Sequence, residues 1–113
     1  PGEEPGATWK RRKEESLKVL RSSSDVGVKM LWIADKLANI RSLAGIYSEQ
    51  GEKIWESLHQ SDPEMQRWYY RSIAENVELS LNRTGAFKEF IKHINFIWPG
   101  SFDSEKSRYR KAS

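Results

Sequence analysis

The chain contains no cysteine among its 113 residues. Disulfide bonds and zinc sites built on thiolates are therefore excluded. It also has only two histidines, His59 and His93, and they form no His-x-x-x-His pair. Nitrogen ligands for a metal ion are therefore scarce in this sequence.

Long apolar runs are missing as well. No segment approaches the roughly 20 apolar residues of a membrane-spanning helix, and the N-terminus lacks the pattern of a signal peptide. The composition, 37% hydrophobic and 31% charged, is typical of a globular domain. We therefore expect a cytoplasmic domain without a membrane partner. The net charge of +3 does not by itself indicate a nucleic-acid partner.

Alternation with a period of two, which marks a half-buried strand, does not persist anywhere in the sequence. Helical periodicity predicts an all-α fold of about five helices. The central helix should run from Asp25 to Ile46, and the others should pack around it. Residues 8–100 should form the domain, with a loop or linker end at residues 1–7 and a polar basic tail at residues 101–113.

Cap and breaker residues predict the bounds of the other helices. Thr8 and Asp62 stand where N-caps are expected, and Pro99 with Gly100 should end the last helix. A short apolar face after Gly51 predicts a small additional helix. The predicted segments are residues 8–22, 54–58, 62–82 and 84–97.

The predicted central helix is apolar on almost every side. At about 100° per residue, its main stripe consists of Val26, Met30, Ile33, Leu37, Ile40 and Ala44. Opposite that stripe, Asp35, Asn39 and Ser42 stack on one line. Because a buried bare charge is costly, Asp35 must be paired, liganded or open to a cleft. It therefore marks either a site or a buried ion pair with a basic residue of another helix.

The run VKMLWIADKLANIRSL resembles the last motif of the HD-domain metal-dependent phosphohydrolases, in particular the guanosine tetraphosphate (alarmone) 3'-pyrophosphohydrolases. In that branch a helix carries a hydrophobic-Ala-Asp-Lys/Arg-Leu-x-Asn-Ile/Leu/Met-Arg pattern, which Ile33 to Arg41 match. Ala38 departs from the many members that have His there. Upstream, Trp9, Arg12 and Lys13 resemble the family's Trp-x-x-Arg-Lys helix. The later runs GEKIW and MQRWYY resemble segments of its small members.

The resemblance implies a partial HD-domain fold and a hydrolase that uses a divalent metal, manganese in this family, to activate water against a nucleotide phosphate. It makes Asp35 a catalytic metal ligand and places Asn39 against the nucleotide. The His and His-Asp motifs of the family are absent from this sequence. We therefore expect the C-terminal part of an HD-type domain, inactive alone, with its missing half or another copy packed against it.

Arg12 and Lys13 are further candidate substrate contacts. Guanidinium and ammonium groups suit the oxygens of a polyphosphate. Because Glu14 and Glu15 follow directly and balance the charge, a solvated helix face is an equal alternative.

Tyr69 is the aromatic candidate for substrate binding. It lies in the densest aromatic cluster, where one ring could stack on a purine, although core packing accounts for most such clusters. Lys36 lies about 100° around the helix from Asp35, which favours a solvated surface lysine.

The competing prediction is a non-enzymatic helical module that binds a protein or a nucleic acid. In that case the Asp35 helix is only core, and exposed aromatics act with the KRRK and KSRYRK runs. The direction of Asp35, toward a cleft or toward an internal partner, separates the two predictions. We also expect the face around Leu31, Trp32 and Ala38 to lack a cover within the chain and to mark an interface.

Overall fold

The computed structural model describes residues 5–58 and 60–103, and the side chains of all of these except Pro5 and Gly6. The elements are α1 (Pro5–Ser22), α2 (Val26–Gln50), a 3₁₀ helix (Gly51–Ser57), α3 (Pro63–Leu81) and α4 (Gly85–Ile97). No strand occurs within these ranges, so the all-α prediction is confirmed. The described part has four α-helices, and the remaining predicted helix is the 3₁₀ helix.

Side-chain caps set the starts of α2, α3 and α4, and the sequence predicted such a cap for α2 and α3. Asp25 accepts a hydrogen bond of 2.8 Å from the N–H of Gly27. Asp62 accepts one of 2.9 Å from the N–H of Glu64, and Thr84 caps α4 in a similar way. Each cap satisfies a backbone donor that has no partner inside the helix.

The two ends of the predicted domain differ from the structure. α1 begins at Pro5, so the predicted loop at residues 1–7 is partly helical and Thr8 lies inside the helix. At the other end, Ser101 and Phe102 are buried, and the Asn95 side chain bonds the Phe102 backbone at 2.7 and 2.9 Å. The polar tail therefore does not begin at residue 101. Residues 1–4, His59 and residues 104–113, which include KSRYRK, lie outside the described residues.

α2 continues past the predicted end at Ile46 and stops at Gln50. Gly51 has a φ of 61°, a backbone angle that favours glycine, and it separates α2 from the 3₁₀ helix. Ile54 and Trp55 of that short helix are buried, as their periodicity predicted.

One hydrophobic core joins the elements. α2 packs on α4, the 3₁₀ helix and α3, whereas α1 packs mainly on α3. Burying one large apolar side chain contributes about 1.5–3 kcal/mol. The largest fully buried side chains are Leu20, Ile33, Ile40, Ile54, Ile73, Val77, Leu81, Phe87, Phe90 and Ile94. Because α1 and α2 both rest on α3 and pack little on each other, a cleft opens between them.

α2 buries one face rather than its whole circumference. Ile33, Leu37 and Ile40 are buried, but Val26 is 51% and Leu31 72% exposed. The predicted main stripe is therefore buried from Ile33 to Ala44 and exposed at Val26 and Met30. The expectation of an uncovered face is confirmed at Leu31 and at Ala38, while Trp32 is half-buried.

Lys29 takes the place in the buried stripe that the sequence assigned to Met30 and Val26. Its Nζ donates hydrogen bonds of 3.3 Å to the carbonyl of Leu20 and 3.1 Å to that of Asn76. A buried ammonium needs such acceptors, and the C-terminal carbonyls of α1 supply one. This lysine therefore ties the start of α2 to α1 and α3.

Candidate functional site

The cleft between α1 and α2 has a volume of about 360 Å³, and α3 forms its floor. This lies within the range of roughly 300–1,000 Å³ that is typical of small-molecule sites. Cationic, acidic, aromatic and apolar groups meet in it. Its lining consists of Lys13, Ser16, Leu31, Trp32, Asp35, Lys36 and Tyr69.

Lys13 enters the cleft from α1. Its Nζ lies 4.8 Å from the ring centroid of Tyr69 and 5.6 Å from that of Trp9. Burial lowers the pKa of the Lys13 ammonium, and the positive charges of Lys36 and Arg12 lower it further. The Lys13 ammonium therefore lies close to two other positive charges.

Lys36 enters the same cleft from α2. Its side chain is only 19% exposed, and its Nζ lies 5.7 Å from the ring centroids of both Trp32 and Tyr69. The prediction of a solvated lysine is therefore wrong. Trp32 precedes Lys36 by one helical turn, a spacing that places the two side chains next to each other on the helix surface.

Asp35 lines the cleft and is open to solvent, with 69% of its side chain exposed. Its ion-pair partner is the adjacent Lys36, at 3.2 Å from Oδ2 to Nζ. The alternative of a buried acid paired with another helix is therefore wrong. The carboxylate is instead accessible to anything that enters the cleft.

Asn39 and Arg12 do not line the cleft. Asn39 is exposed one turn beyond Asp35, so the prediction that these two residues share the cleft is wrong. Arg12 is also exposed and influences the cleft through its charge, which acts on Lys13. Of the five predicted site residues, the structure brings together Lys13, Asp35 and Tyr69.

Tyr69 is the floor of the cleft and not a stacking platform. It is only 5% exposed, and Lys13 and Lys36 lie over its ring. Its neighbour Tyr70 is buried in the core, and this burial, with smaller contributions from Tyr69 and Asp35, raises the pKa of Tyr70 to about 12. Core packing therefore accounts for Tyr70 and for most of the surface of Tyr69, whose remaining surface lines the cleft.

Sequence reasoning missed Trp32 and Lys36 as a pair, although a signal for them was present. Trp9 precedes Lys13 by four residues, and Trp32 precedes Lys36 by the same spacing. Residues four apart are neighbours on a helix surface, which lets an ammonium lie against an indole. One such pair lies on each of the two helices that border the cleft, and Lys13, Trp32 and Lys36 are part of its lining.

The described residues do not by themselves form the manganese site that the resemblance implies. The described residues include no group of three or more His, Cys, Asp and Glu side chains that could hold an ion. Asp35 is the only residue of those types in the lining. His93 lies elsewhere, with its Nε2 3.1 Å from Oε2 of Glu89.

No protein-family model, curated protein or solved structure matches this chain. The chemistry of the cleft is therefore the main guide to its function. Within residues 5–58 and 60–103, no helix is both long and apolar enough to cross a bilayer.

Proposed function

We propose that the cleft binds the phosphates of a nucleotide, and that the chain is part of an HD-type phosphohydrolase for guanosine tetraphosphate-like alarmones. The observation that supports this is the position of Lys13 and Lys36 on facing helices beside a single carboxylate, Asp35. Positive charge exceeds negative charge there, and Arg12 adds to the excess from outside. Phosphate oxygens are well suited to such a group of cations.

The geometry favours a ligand with several anionic oxygens. Lys13 and Lys36 both lie over Tyr69, at 4.8 and 5.7 Å from its ring centroid, so both can face the anionic groups of one polyphosphate in the cleft. Trp32, half-buried at the side of the cleft, is the ring that remains for contact with a nucleoside. In this arrangement Asp35 stands beside the phosphates.

Hydrolysis by this chain alone is not expected, because one carboxylate cannot hold a divalent ion tightly against water. In the proposed enzyme the His and His-Asp motifs come from another polypeptide segment, and Asp35 would be the remaining ligand of the metal ion. A segment that carries those motifs should restore turnover when added, and Asp35→Asn should abolish it. Robust hydrolysis of guanosine tetraphosphate by the chain on its own would contradict this proposal.

Calorimetric titration of the chain with guanosine tetraphosphate tests the binding step without any metal. A hydrogen bond to a charged group contributes about 1.5–3 kcal/mol, so Lys13→Gln and Lys36→Gln should each weaken binding about tenfold or more. Lys92→Gln is the matched control, since Lys92 is an exposed lysine of α4. Absence of binding, or equal affinities of Lys36→Gln and Lys92→Gln, would contradict the proposal.

A second function, that of a non-enzymatic interaction module, is supported by the exposed face of α2. Leu31 is 72% exposed, and Ala38 is exposed two turns further on. Exposed apolar surface of this kind is typical of an interface when it forms a large patch. Self-association in sedimentation that Leu31→Ser abolishes, together with no nucleotide binding, would favour this function over the first.

A further inference from the structure

We propose that Lys13 is a site of acylation, with acyl phosphates as the class of reactant. The geometry that supports this is an amine that opens into a cleft, lies against aromatic rings and has positive charges as neighbours. The acylation itself does not depend on whether the cleft binds a nucleotide.

A lysine amine is nucleophilic only in its unprotonated form. Two features of the cleft favour that form at Lys13. Its ammonium is partly desolvated, and the charges of Lys36 and Arg12 repel it, so its pKa lies below the ordinary value of 10.5. Desolvation beside a second cation is a known way in which enzymes activate a lysine.

The aromatic rings act in the opposite direction. An ammonium over a ring face is stabilised by about 0.5–1 kcal/mol at exposed sites. Tyr69 and Trp9 provide such contacts to Lys13, at 4.8 and 5.6 Å. The ring contacts favour the protonated form of Lys13, whereas burial and the neighbouring positive charges favour the unprotonated form. The rate of acylation at Lys13 shows which of these effects is larger.

Lys36 offers an internal comparison in the same cleft. Its Nζ is in an ion pair with Asp35 at 3.2 Å, so the amine must leave that contact before it can attack a carbonyl. The charges that shift the pKa of Lys13 are instead both positive. We therefore infer that Lys13, and not Lys36, is the reactive lysine of the cleft.

An acyl phosphate suits this site because its anionic end is attracted by Lys36 and Arg12. The Nζ lone pair of Lys13 attacks the carbonyl carbon, and the bond between that carbon and the phosphate oxygen breaks. Inorganic phosphate leaves with the electron pair of that bond, and the amine loses one proton to solvent. The products are an N-acyl-lysine and inorganic phosphate, with no change in oxidation state.

Acylation would remove one positive charge from the cleft. If the cleft binds nucleotide phosphates as proposed above, the acylated chain should bind guanosine tetraphosphate more weakly. Only this consequence rests on the proposed function, and the rate of acylation at Lys13 is measured separately from it.

The test is incubation of the full chain with acetyl phosphate near neutral pH, followed by site-resolved mass spectrometry over time. Lys13 should be acetylated several-fold faster than Lys88 and Lys92, which are exposed lysines of α4. A rate at Lys13 equal to or below theirs would overturn the proposal.

The pH dependence supplies a second readout that needs no variant. The charged or titratable groups that line the cleft around Lys13 are Asp35, Lys36 and Tyr69, with Arg12 beside it. As the pH approaches 10.5, exposed lysines also lose their protons, so the ratio of the acetylation rate at Lys13 to that at the exposed lysines should fall. A ratio that does not change with pH would show that the lowered pKa of Lys13 is not the cause of its reactivity.

Substitution of the neighbouring cation completes the test. Lys36→Gln should slow acetylation of Lys13, because it removes a repulsive charge and part of the attraction for the reactant. Lys92→Gln should leave the rate unchanged. Circular dichroism shows whether the variant keeps its helices, and an unchanged rate at Lys13 in folded Lys36→Gln would overturn the proposal.

Discussion

Two clusters of charged side chains lie along α2, and they differ in the balance of positive and negative charge. Arg41 donates hydrogen bonds from Nε and Nη2 to the two carboxylate oxygens of Glu89, and His93 contacts the same carboxylate. In the other cluster, Lys13 and Lys36 share the cleft with one exposed acid, Asp35. The first cluster joins α2 to α4 with its charges matched, whereas the second retains an excess of positive charge.

The difference separates a structural contact from a candidate binding site. In the first cluster, the hydrogen bond from Arg41 and then that from His93 lower the pKa of Glu89 from 4.5 to about 2, so the charge of Arg41 already has its anion. In the second cluster, burial is the largest cause that lowers the pKa of Lys13, and repulsion from Lys36 and Arg12 lowers it further. An incoming anion would relieve that repulsion, and this is the physical basis for assigning the ligand to the cleft.

The largest expected effect on stability comes from the hydrophobic core and not from either charged cluster. Ile40→Ala should destabilise the chain by about 2–5 kcal/mol, because it leaves a cavity in the fully buried face of α2. Arg41→Gln, at the next position, should cost far less, since that side chain is exposed. Urea unfolding followed by circular dichroism measures both, and equal losses would show that the ion pair and not the core holds α2 in place.

The next effect concerns the ligand. The double variant Lys13→Gln/Lys36→Gln should bind guanosine tetraphosphate roughly a hundredfold more weakly, from about 1.5 kcal/mol or more at each lysine. Glu89→Gln should leave the affinity unchanged, because the balanced cluster has no role in binding. A similar loss of affinity in both variants would remove the distinction between the two clusters.

A smaller effect should appear in the pH dependence of stability. Since the folded-state pKa of Glu89 is depressed to about 2, its contribution is complete above pH 4.5 and is lost as the pH falls toward 2. The difference in unfolding free energy between the wild type and Glu89→Gln should therefore shrink over that range. A difference that does not vary with pH would show that the hydrogen bonds to Glu89 do not persist in solution.

The smallest effect is expected on the exposed face of α2. Leu31→Ala should change the unfolding free energy by no more than about 0.5 kcal/mol, since the side chain is largely in water already. Thermal unfolding measures this directly. A loss as large as that of Ile40→Ala would mean that Leu31 is covered in solution, for example by a second copy of the chain.

Local signals predicted the helices well, because each depends on neighbouring residues only. Asp62, Pro63 and Thr84 placed the starts of α3 and α4 within a residue of where the structure has them. The buried face of α2 was harder, because Lys29 is polar by type and its burial depends on carbonyls of α1 and α3. No periodicity within α2 contains that information.

The candidate site was predicted only in part for a similar reason. The resemblance directed attention to Asp35 and Lys13, which do line one cleft. That cleft exists because α1 and α2 both pack on α3, a tertiary arrangement that one helical pattern does not reveal. Its angle on the helix alone predicts that Lys36 is solvated, whereas its side chain is 19% exposed and its Nζ lies 5.7 Å from the ring centroid of Trp32, one turn away.

The most direct measurement of the central claim is a titration of the full chain with guanosine tetraphosphate, followed by amide proton–nitrogen correlation spectra. We predict that the largest chemical-shift changes occur at Ser16, at Lys36 and at the indole of Trp32, which line the cleft. The signals of Arg41 and Glu89 should change little. Shifts centred on Arg41 and Glu89, or no shifts at all, would contradict the account.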